Sequence, residues 1–257
     1  MAESTFRIVR ELRAAGCVYA ELEADLLAEA FSGRRLEAAI SRRIAGVPLE
    51  QMLGWAEFCG LRIAVEPGVF VPRRRTEYLV REAAASNPKV VVDLCCGSGA
   101  VGVALADLVD DLEVHATDID AAAVRCARRN LASIGGEVHE GDLYSALPQS
   151  IRGRVDAIVA NAPYVPTGAI CSMPSEARDH EPRIALDGGA DGLDLHRRIA
   201  SEARGWLARG GRLLLETSVR QADATAAVVA DYGFDPTVGH SAELGGTIVS
   251  ATALTAA

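Results

Sequence analysis

From residue 90 onward, short apolar strands alternate with helical segments, and that alternation limits the chain to one architecture. Val90-Val91-Val92-Asp93-Leu94 is a continuous apolar strand with a carboxylate near its end. Residues 100–108 read as a helix, 113–117 as a strand, 121–131 as a helix and 137–140 as a strand. Strands at 155–160 and 212–216 and a helix at 193–207 continue the pattern. Strands with no polar face must be covered on both sides, so they belong in a parallel sheet flanked by helices. Residues 234–239 and 247–254 read as an antiparallel pair at the sheet edge. The predicted class is α/β: a doubly wound, mostly parallel sheet with an antiparallel edge pair.

The residues before this unit have a different character. Phe6, Val9 and Leu12 have the spacing of one helix face. Leu22, Leu26 and Ala30 have that of another, with Glu23, Asp25 and Glu29 outward. Residues 58–65 alternate like a strand, Glu66-Pro67-Gly68 turns, and Val69-Phe70-Val71 returns. The expected division is a helical domain over 1–56, a β-hairpin linker over 57–72 and the sheet domain over 73–257.

Composition narrows the partners. There are 26 basic and 35 acidic residues, for a net charge of -9. That balance argues against direct binding of nucleic acid, which calls for a basic surface. The paired arginines, Arg42-Arg43 among them, read as solvated helix faces. The cysteines Cys17, Cys59, Cys95, Cys96, Cys126 and Cys171 include no C-x-x-C, and no Cys/His cluster has the spacing of a zinc site. They read as free thiols, and no metal is expected. No signal pattern and no membrane-length apolar run is present, so a cytoplasmic monomer is expected.

Two loops carry the chemistry. Asp93-Leu94-Cys95-Cys96-Gly97-Ser98-Gly99 joins the first strand of the sheet domain to its helix. Small residues there let the backbone approach a ligand. The loop is neither G-x-G-x-x-G nor a phosphate-gripping Walker loop, which suits an adenosine ligand without phosphates. Asp118 ends the second strand, where a carboxylate can accept from ribose hydroxyls. Asp142 follows the third strand and is placed to meet the adenine edge.

The second loop, Asn161-Ala162-Pro163-Tyr164, follows the strand at 155–160. A planar nitrogen is a poor nucleophile because its lone pair is delocalised. The Asn161 side-chain oxygen and the Ala162 carbonyl can accept its two N–H groups. Tyr164 can fix its plane, and the lone pair can then be aimed at the methyl of a sulfonium.

With these motifs in place, the chain resembles the HemK/PrmC family of bacterial protein-(glutamine-N5) methyltransferases, which modify release factors. Beside the two loops, two further blocks carry the resemblance. One is Phe70-Val71-Pro72-Arg73-Arg74-Arg75-Thr76-Glu77, preceded by Gly46-Val47-Pro48-Leu49-Glu50-Gln51. The other is His180-Glu181-Pro182-Arg183 with Asp187-Gly188-Gly189 and Asp191-Gly192-Leu193. The resemblance implies a class I S-adenosylmethionine-dependent methyltransferase fold, with the helical domain recognising substrate. It implies S-adenosylmethionine as cofactor and S-adenosylhomocysteine as product. Asp93, Cys95, Cys96, Gly97, Ser98, Gly99, Asp118, Asp142, Leu143 and Asn161 would hold the cofactor. Asn161, Ala162, Pro163 and Tyr164 would be catalytic, with Arg73, Thr76 and Glu181 at the substrate pocket. The expected acceptor is a glutamine in a protein, such as the Gly-Gly-Gln loop of a release factor.

The chain departs from the family at three of these positions. Ala162 stands where the family has the first proline of Asn-Pro-Pro-Tyr. Cys95 stands for the first loop glycine, and Arg74 for a proline. The helical domain is also shorter than the family's, by about one helical hairpin between Phe31 and Leu36, so other acceptors stay open: another protein, a small-molecule amide or amine, or, against the charge balance, adenine N6. A cofactor-binding module without catalysis is the reading of another class.

Overall fold

The computed structural model describes residues 2–254. It begins with helices α1 (Ala2–Ala14), α2 (Ala20–Ala30), α3 (Gly33–Ile44) and the short α4 (Leu49–Leu53). Their apolar stripes close on a cluster of their own, built around Ile8, Leu12, Ala24, Leu27 and Ile40. Leu12 lies in this cluster, with Val9 and Leu26 packed against it, as their spacing predicts, but the faces are rotated from those expected. Phe6 and Leu22 are 71% and 60% exposed, and Ala30 is exposed as well. Adjacent apolar pairs such as Ile8-Val9 and Leu26-Leu27 are compatible with two phases of a helical repeat. The neighbouring helices choose between them. Glu23, expected outside, is buried and accepts from Arg43 Nε at 2.6 Å and Nη2 at 3.2 Å. Arg43 is accordingly a buried partner and not a solvated one.

A two-stranded hairpin follows, β1 (Trp55–Phe58) against β2 (Leu61–Ala64). Its turn is at Cys59-Gly60, not at Glu66-Pro67-Gly68. Both turn residues have positive φ, 52° and 76°, as a two-residue turn matching the twist of its strands requires. Cys59 is an unusual residue for that conformation, so the sequence carried only half of the turn signal. Helix α5 (Glu77–Ala84), which the sequence reading did not anticipate, leads into the sheet.

The sheet domain then runs β3 (Val90–Leu94), α6 (Ala100–Leu108), β4 (Glu113–Asp118), α7 (Ala121–Leu131), β5 (Glu137–Glu140), β6 (Val155–Ala160), α8 (Ser175–His180), α9 (Asp194–Trp206), β7 (Leu207–Thr217), α10 (Ala222–Asp231), β8 (Phe234–Ser241) and β9 (Gly246–Ala253). Its seven strands lie in the order β5-β4-β3-β6-β7-β9-β8. The first five are parallel, and β9 is antiparallel to both β7 and β8. Strand alternation gives two cores, one per face. Val92, Leu94, Ile158, Leu213 and Leu215 face one set of helices, and Val91, Val159 and Leu214 face the other.

The chain leaves β3 in one direction toward β4 and β5, and later returns on the other side as β6 and β7. The crevice between such diverging strands lies outside their carboxyl ends, and ligands bind there. Leu94 pairs with Ala160, so both chemistry-bearing loops emerge side by side at that point.

Candidate active site

One cavity of about 1120 Å³ opens over the ends of β3, β4, β5 and β6. Every sequence-predicted site residue lines it: Arg73, Thr76, Asp93, Cys95, Cys96, Gly97, Ser98, Asp118, Asp142, Leu143, Asn161, Ala162, Pro163, Tyr164 and Glu181, with Gly99 as the exception. Gly99 instead packs the loop onto α7. A Cβ there would come within 3.2 Å of the Ala127 backbone. Ordinary small-molecule pockets hold roughly 300–1,000 Å³, so this cavity has room for a nucleoside and an acceptor together.

The glycine loop is held open by backbone geometry. Cys95, Gly97 and Gly99 have φ of 56°, 56° and 76°, the left-handed region. Cys95 therefore occupies a position that favours glycine, at some cost in strain. Asp93 is buried, and its Oδ2 accepts from Gly102 N at 3.3 Å in α6. Burial raises its pKa to about 7, with the nearby Asp118 pushing the same way. Both loop thiols are pushed well up, first by burial and then by Asp118 and Asp93, so neither is a nucleophile at neutral pH. Asp118 faces the loop: its Oδ2 accepts from Gly97 N at 2.8 Å and its Oδ1 from Asp120 N at 2.9 Å. Each oxygen keeps a lone pair for a further donor. Asp142 Oδ2 accepts from Arg198 Nη2 at 2.6 Å, and both residues line the cavity.

At the second loop, Asn161 Nδ2 donates to Thr76 Oγ1 at 3.3 Å. Among the described residues, no donor reaches the Asn161 side-chain oxygen or the Ala162 carbonyl. The loop is strapped to residues 186–188: Val165 N donates to Leu186 O at 3.0 Å, and Gly188 N to Val165 O at 2.8 Å. A Cβ on Gly188 would come within 2.7 Å of the Pro163 carbonyl, and one on Gly192 within 2.5 Å of Gln221 Nε2. Gly188 and Gly192 leave no room for a side chain because the loop Asn161-Ala162-Pro163-Tyr164 lies against them. Glu181 is a buried clamp: its Oε1 accepts from Arg73 Nη2 at 2.6 Å and from Val71 N at 3.3 Å. Burial raises its pKa, while Arg73 holds it down.

Three groups here escaped the sequence reading. Glu216, near the end of β7, is 1% exposed and accepts from Tyr164 Oη at 3.4 Å and Arg75 Nε at 3.1 Å. Burial is the largest influence and raises its pKa, with Thr76 and Arg75 opposing. Its signal was available: a carboxylate closing the run Leu213-Leu214-Leu215, as Asp93 and Asp118 close theirs. Gln221 Nε2 donates to the Tyr164 carbonyl at 2.9 Å. Asn130 Nδ2 donates to Ser98 O at 2.8 Å and to Ala64 O at 2.9 Å, tying hairpin to glycine loop. Neither amide had a sequence signal, since each acts on backbone atoms far away in the chain.

The glycine loop, Asp118 and the Asn161 loop meet at the switch point of a doubly wound sheet, the arrangement of class I S-adenosylmethionine-dependent methyltransferases. Comparison with known proteins agrees. The family described as "Methyltransferase small domain" matches residues 60–173. A methyltransferase of known structure from Pyrococcus furiosus shares the fold, with a TM-score of 0.57 at 16% identity over 75% of this chain and 89% of that one. The release factor glutamine methyltransferase of Geobacter sulfurreducens is 39% identical over 199 residues, 76% of this chain and 69% of its own. The 4-amino-L-phenylalanine/4-methylamino-L-phenylalanine methyltransferase of Streptomyces pristinaespiralis is 39% identical over 186 residues, 69% of this chain and 63% of its own. The chain belongs to the release factor glutamine methyltransferase family. No helix among the described residues is long and apolar enough to cross a membrane.

Proposed function

We propose that the protein methylates the side-chain amide nitrogen of a glutamine in a protein substrate, and that this glutamine lies in the Gly-Gly-Gln loop of a peptide chain release factor. The observation that carries the reading is the acceptor pair at the end of β6. With its Nδ2 engaged by Thr76, Asn161 offers its oxygen to the cavity. The Ala162 carbonyl is the second acceptor. Two acceptors match the two N–H groups of a primary amide. Accepting both raises electron density on the nitrogen and fixes its plane, and positioning of this kind supplies most of the rate gain.

The cofactor residues follow the same reading. Cys95, Cys96, Gly97 and Ser98 line the cofactor's bed, Gly99 holds that loop against α7, and Asp93 anchors it from behind through α6. Asp118 takes the ribose hydroxyls, and Asp142 and Leu143 flank the adenine. When bound, S-adenosylmethionine supplies an electrophilic methyl and leaves as S-adenosylhomocysteine. No strong base is required, because the amide proton leaves once the new bond has formed. Tyr164, held by Glu216 and Gln221, presents its ring to the flat amide. Arg73 and Glu181 shape the mouth, and the helical segment over residues 1–56 docks the protein substrate, with 57–72 as linker and 73–257 as the catalytic unit.

A second reading rests on the Streptomyces pristinaespiralis relative, whose name gives an aromatic amine as substrate. An aryl amine also presents a planar nitrogen with two N–H groups. Purified protein with labelled S-adenosylmethionine should be offered release factors in one reaction and small aryl amines in another, with products identified by mass spectrometry. The proposal expects one methyl on the Gly-Gly-Gln glutamine. Methylation of the amine alone would replace it with the second reading.

A further inference from the structure

The outer edge of the sheet carries a cluster that takes no part in the cavity. His115 on β4 faces Glu137 and His139 on β5, and one ligand-type atom from each lies within 4.8 Å of the others. His115 Nδ1 and His139 Nε2 are 3.3 Å apart. Glu137 Oε2 is 3.8 Å from the first and 3.7 Å from the second. A triangle with those sides has its centre about 2.1 Å from each corner, the bond length of zinc to imidazole nitrogen and carboxylate oxygen. The two nitrogens face one another, so something positive must lie between them, either a shared proton or a metal ion.

The surroundings favour the ion. His115 Nε2 lies 2.9 Å from Glu113 Oε1, which fixes its proton there and leaves the lone pair on Nδ1. A carboxylate behind a histidine in this way orients it and raises its basicity as a ligand. Arg128 opposes a cation, but its guanidinium is tied to the Val138 carbonyl. Two carboxylates, Glu113 and Glu137, offset it together with Arg154, which reaches Glu113 at 3.5 Å. Glu137 is largely exposed and His139 partly so, giving an ion a route from solvent.

We propose that His115, Glu137 and His139 form a three-ligand site for a divalent transition-metal ion of the zinc type, with its fourth position open to water. The ion would need each imidazole to turn modestly from its head-on alignment. Sequence spacing could not disclose the site, because its ligands come from two neighbouring strands. His139 pairs with Thr117, one position before Asp118, so the ion would brace the strand ends that carry the nucleoside-side carboxylates.

The test uses the full chain, reduced and stripped with a chelator, then titrated with Co²⁺ and back-titrated with Zn²⁺. The wild type should take up one equivalent of Co²⁺ with a visible spectrum of nitrogen and oxygen ligands and no thiolate charge-transfer band. Zn²⁺ should displace it and raise Tm. His139→Ala should weaken binding by roughly 100-fold and Glu137→Gln by roughly 10-fold, with metal-free Tm unchanged. Lack of uptake by the wild type, a thiolate band, or undiminished affinity in Glu137→Gln would overturn the proposal. The Gln variant is isosteric and exposed, so it decides the matter even if His139→Ala does not fold.

Discussion

Asn161 hands its side-chain N–H to the hydroxyl of Thr76 across 3.3 Å, and this one contact decides which end of the amide faces the cavity. The two residues lie 85 positions apart, on opposite sides of the glycine loop in the chain. Thr76 also neighbours Glu216, which links the acceptor loop to the buried carboxylate of β7.

Removing the acceptor should therefore cost far more than removing its orienter. Asn161→Ala is expected to lower kcat/KM by about 10²–10³-fold, the usual effect of losing a preorganised polar group at a reacting centre. Thr76→Val keeps the volume but frees the amide to turn, and a loss of about 10-fold is expected, near the value of one hydrogen bond. Methyl incorporation into the acceptor under single-turnover conditions checks both. Equal losses in the two variants would contradict an orienting role for Thr76.

Gly188→Ala should lower turnover by about 100-fold without unfolding the chain. The new Cβ meets the Pro163 carbonyl at 2.7 Å and the Tyr164 Cα at 2.8 Å. These are backbone atoms of the acceptor loop and must shift to make room. A shift of even 1 Å in a positioning group costs about 100-fold in rate. Circular dichroism together with an activity assay checks this, and a variant as active as the wild type would show that the loop tolerates displacement.

Asp93 makes stability depend on pH in a direction opposite to that of most surface carboxylates. Its folded-state pKa is raised to about 7 from an ordinary 3.8. A raised value means that the folded protein holds the proton more tightly, so this contribution is complete below about pH 4 and is lost as pH rises through about 7. Asp93→Asn carries no such group. The Tm difference, wild type minus variant, should fall steadily between those limits. A difference that does not change with pH would refute the shift.

The Arg43–Glu23 pair should be costly to break and cheap to replace. The two side chains are 9% and 10% exposed. Glu23→Ala leaves the guanidinium to Glu176 and the Val47 carbonyl among the described residues, and a loss of about 3–5 kcal/mol is expected. The double variant Glu23→Leu with Arg43→Met should recover most of it, since apolar pairs of similar volume replace buried ion pairs well. Chemical denaturation measures both.

Much of this protein was legible in advance because its signals are local. The apolar strands β3, β4, β6 and β7 had to be covered on both faces, and their order along the chain dictated a doubly wound sheet. Strand-end carboxylates and the loops Cys95-Cys96-Gly97-Ser98-Gly99 and Asn161-Ala162-Pro163-Tyr164 follow from strand ends, where the chain turns toward the crevice. The sequence by itself also carried the family's blocks, which is why Arg73, Thr76 and Glu181 could be named before their contacts were known.

Tertiary structure alone decided the rest, because the physics there is not local. The phase of α1 and α2 was set by the helices they meet and by Arg43 drawing Glu23 inward, not by their own periodicity. The hairpin turns at Cys59-Gly60, where Phe58 pairs with Leu61 and Trp55 with Ala64, a pairing that becomes visible only in the fold. Glu216, Gln221 and Asn130 act across the fold on backbone and side chains far from them in the chain. Register likewise brings His115 to His139, since two strands that neighbour in space need share no spacing in sequence.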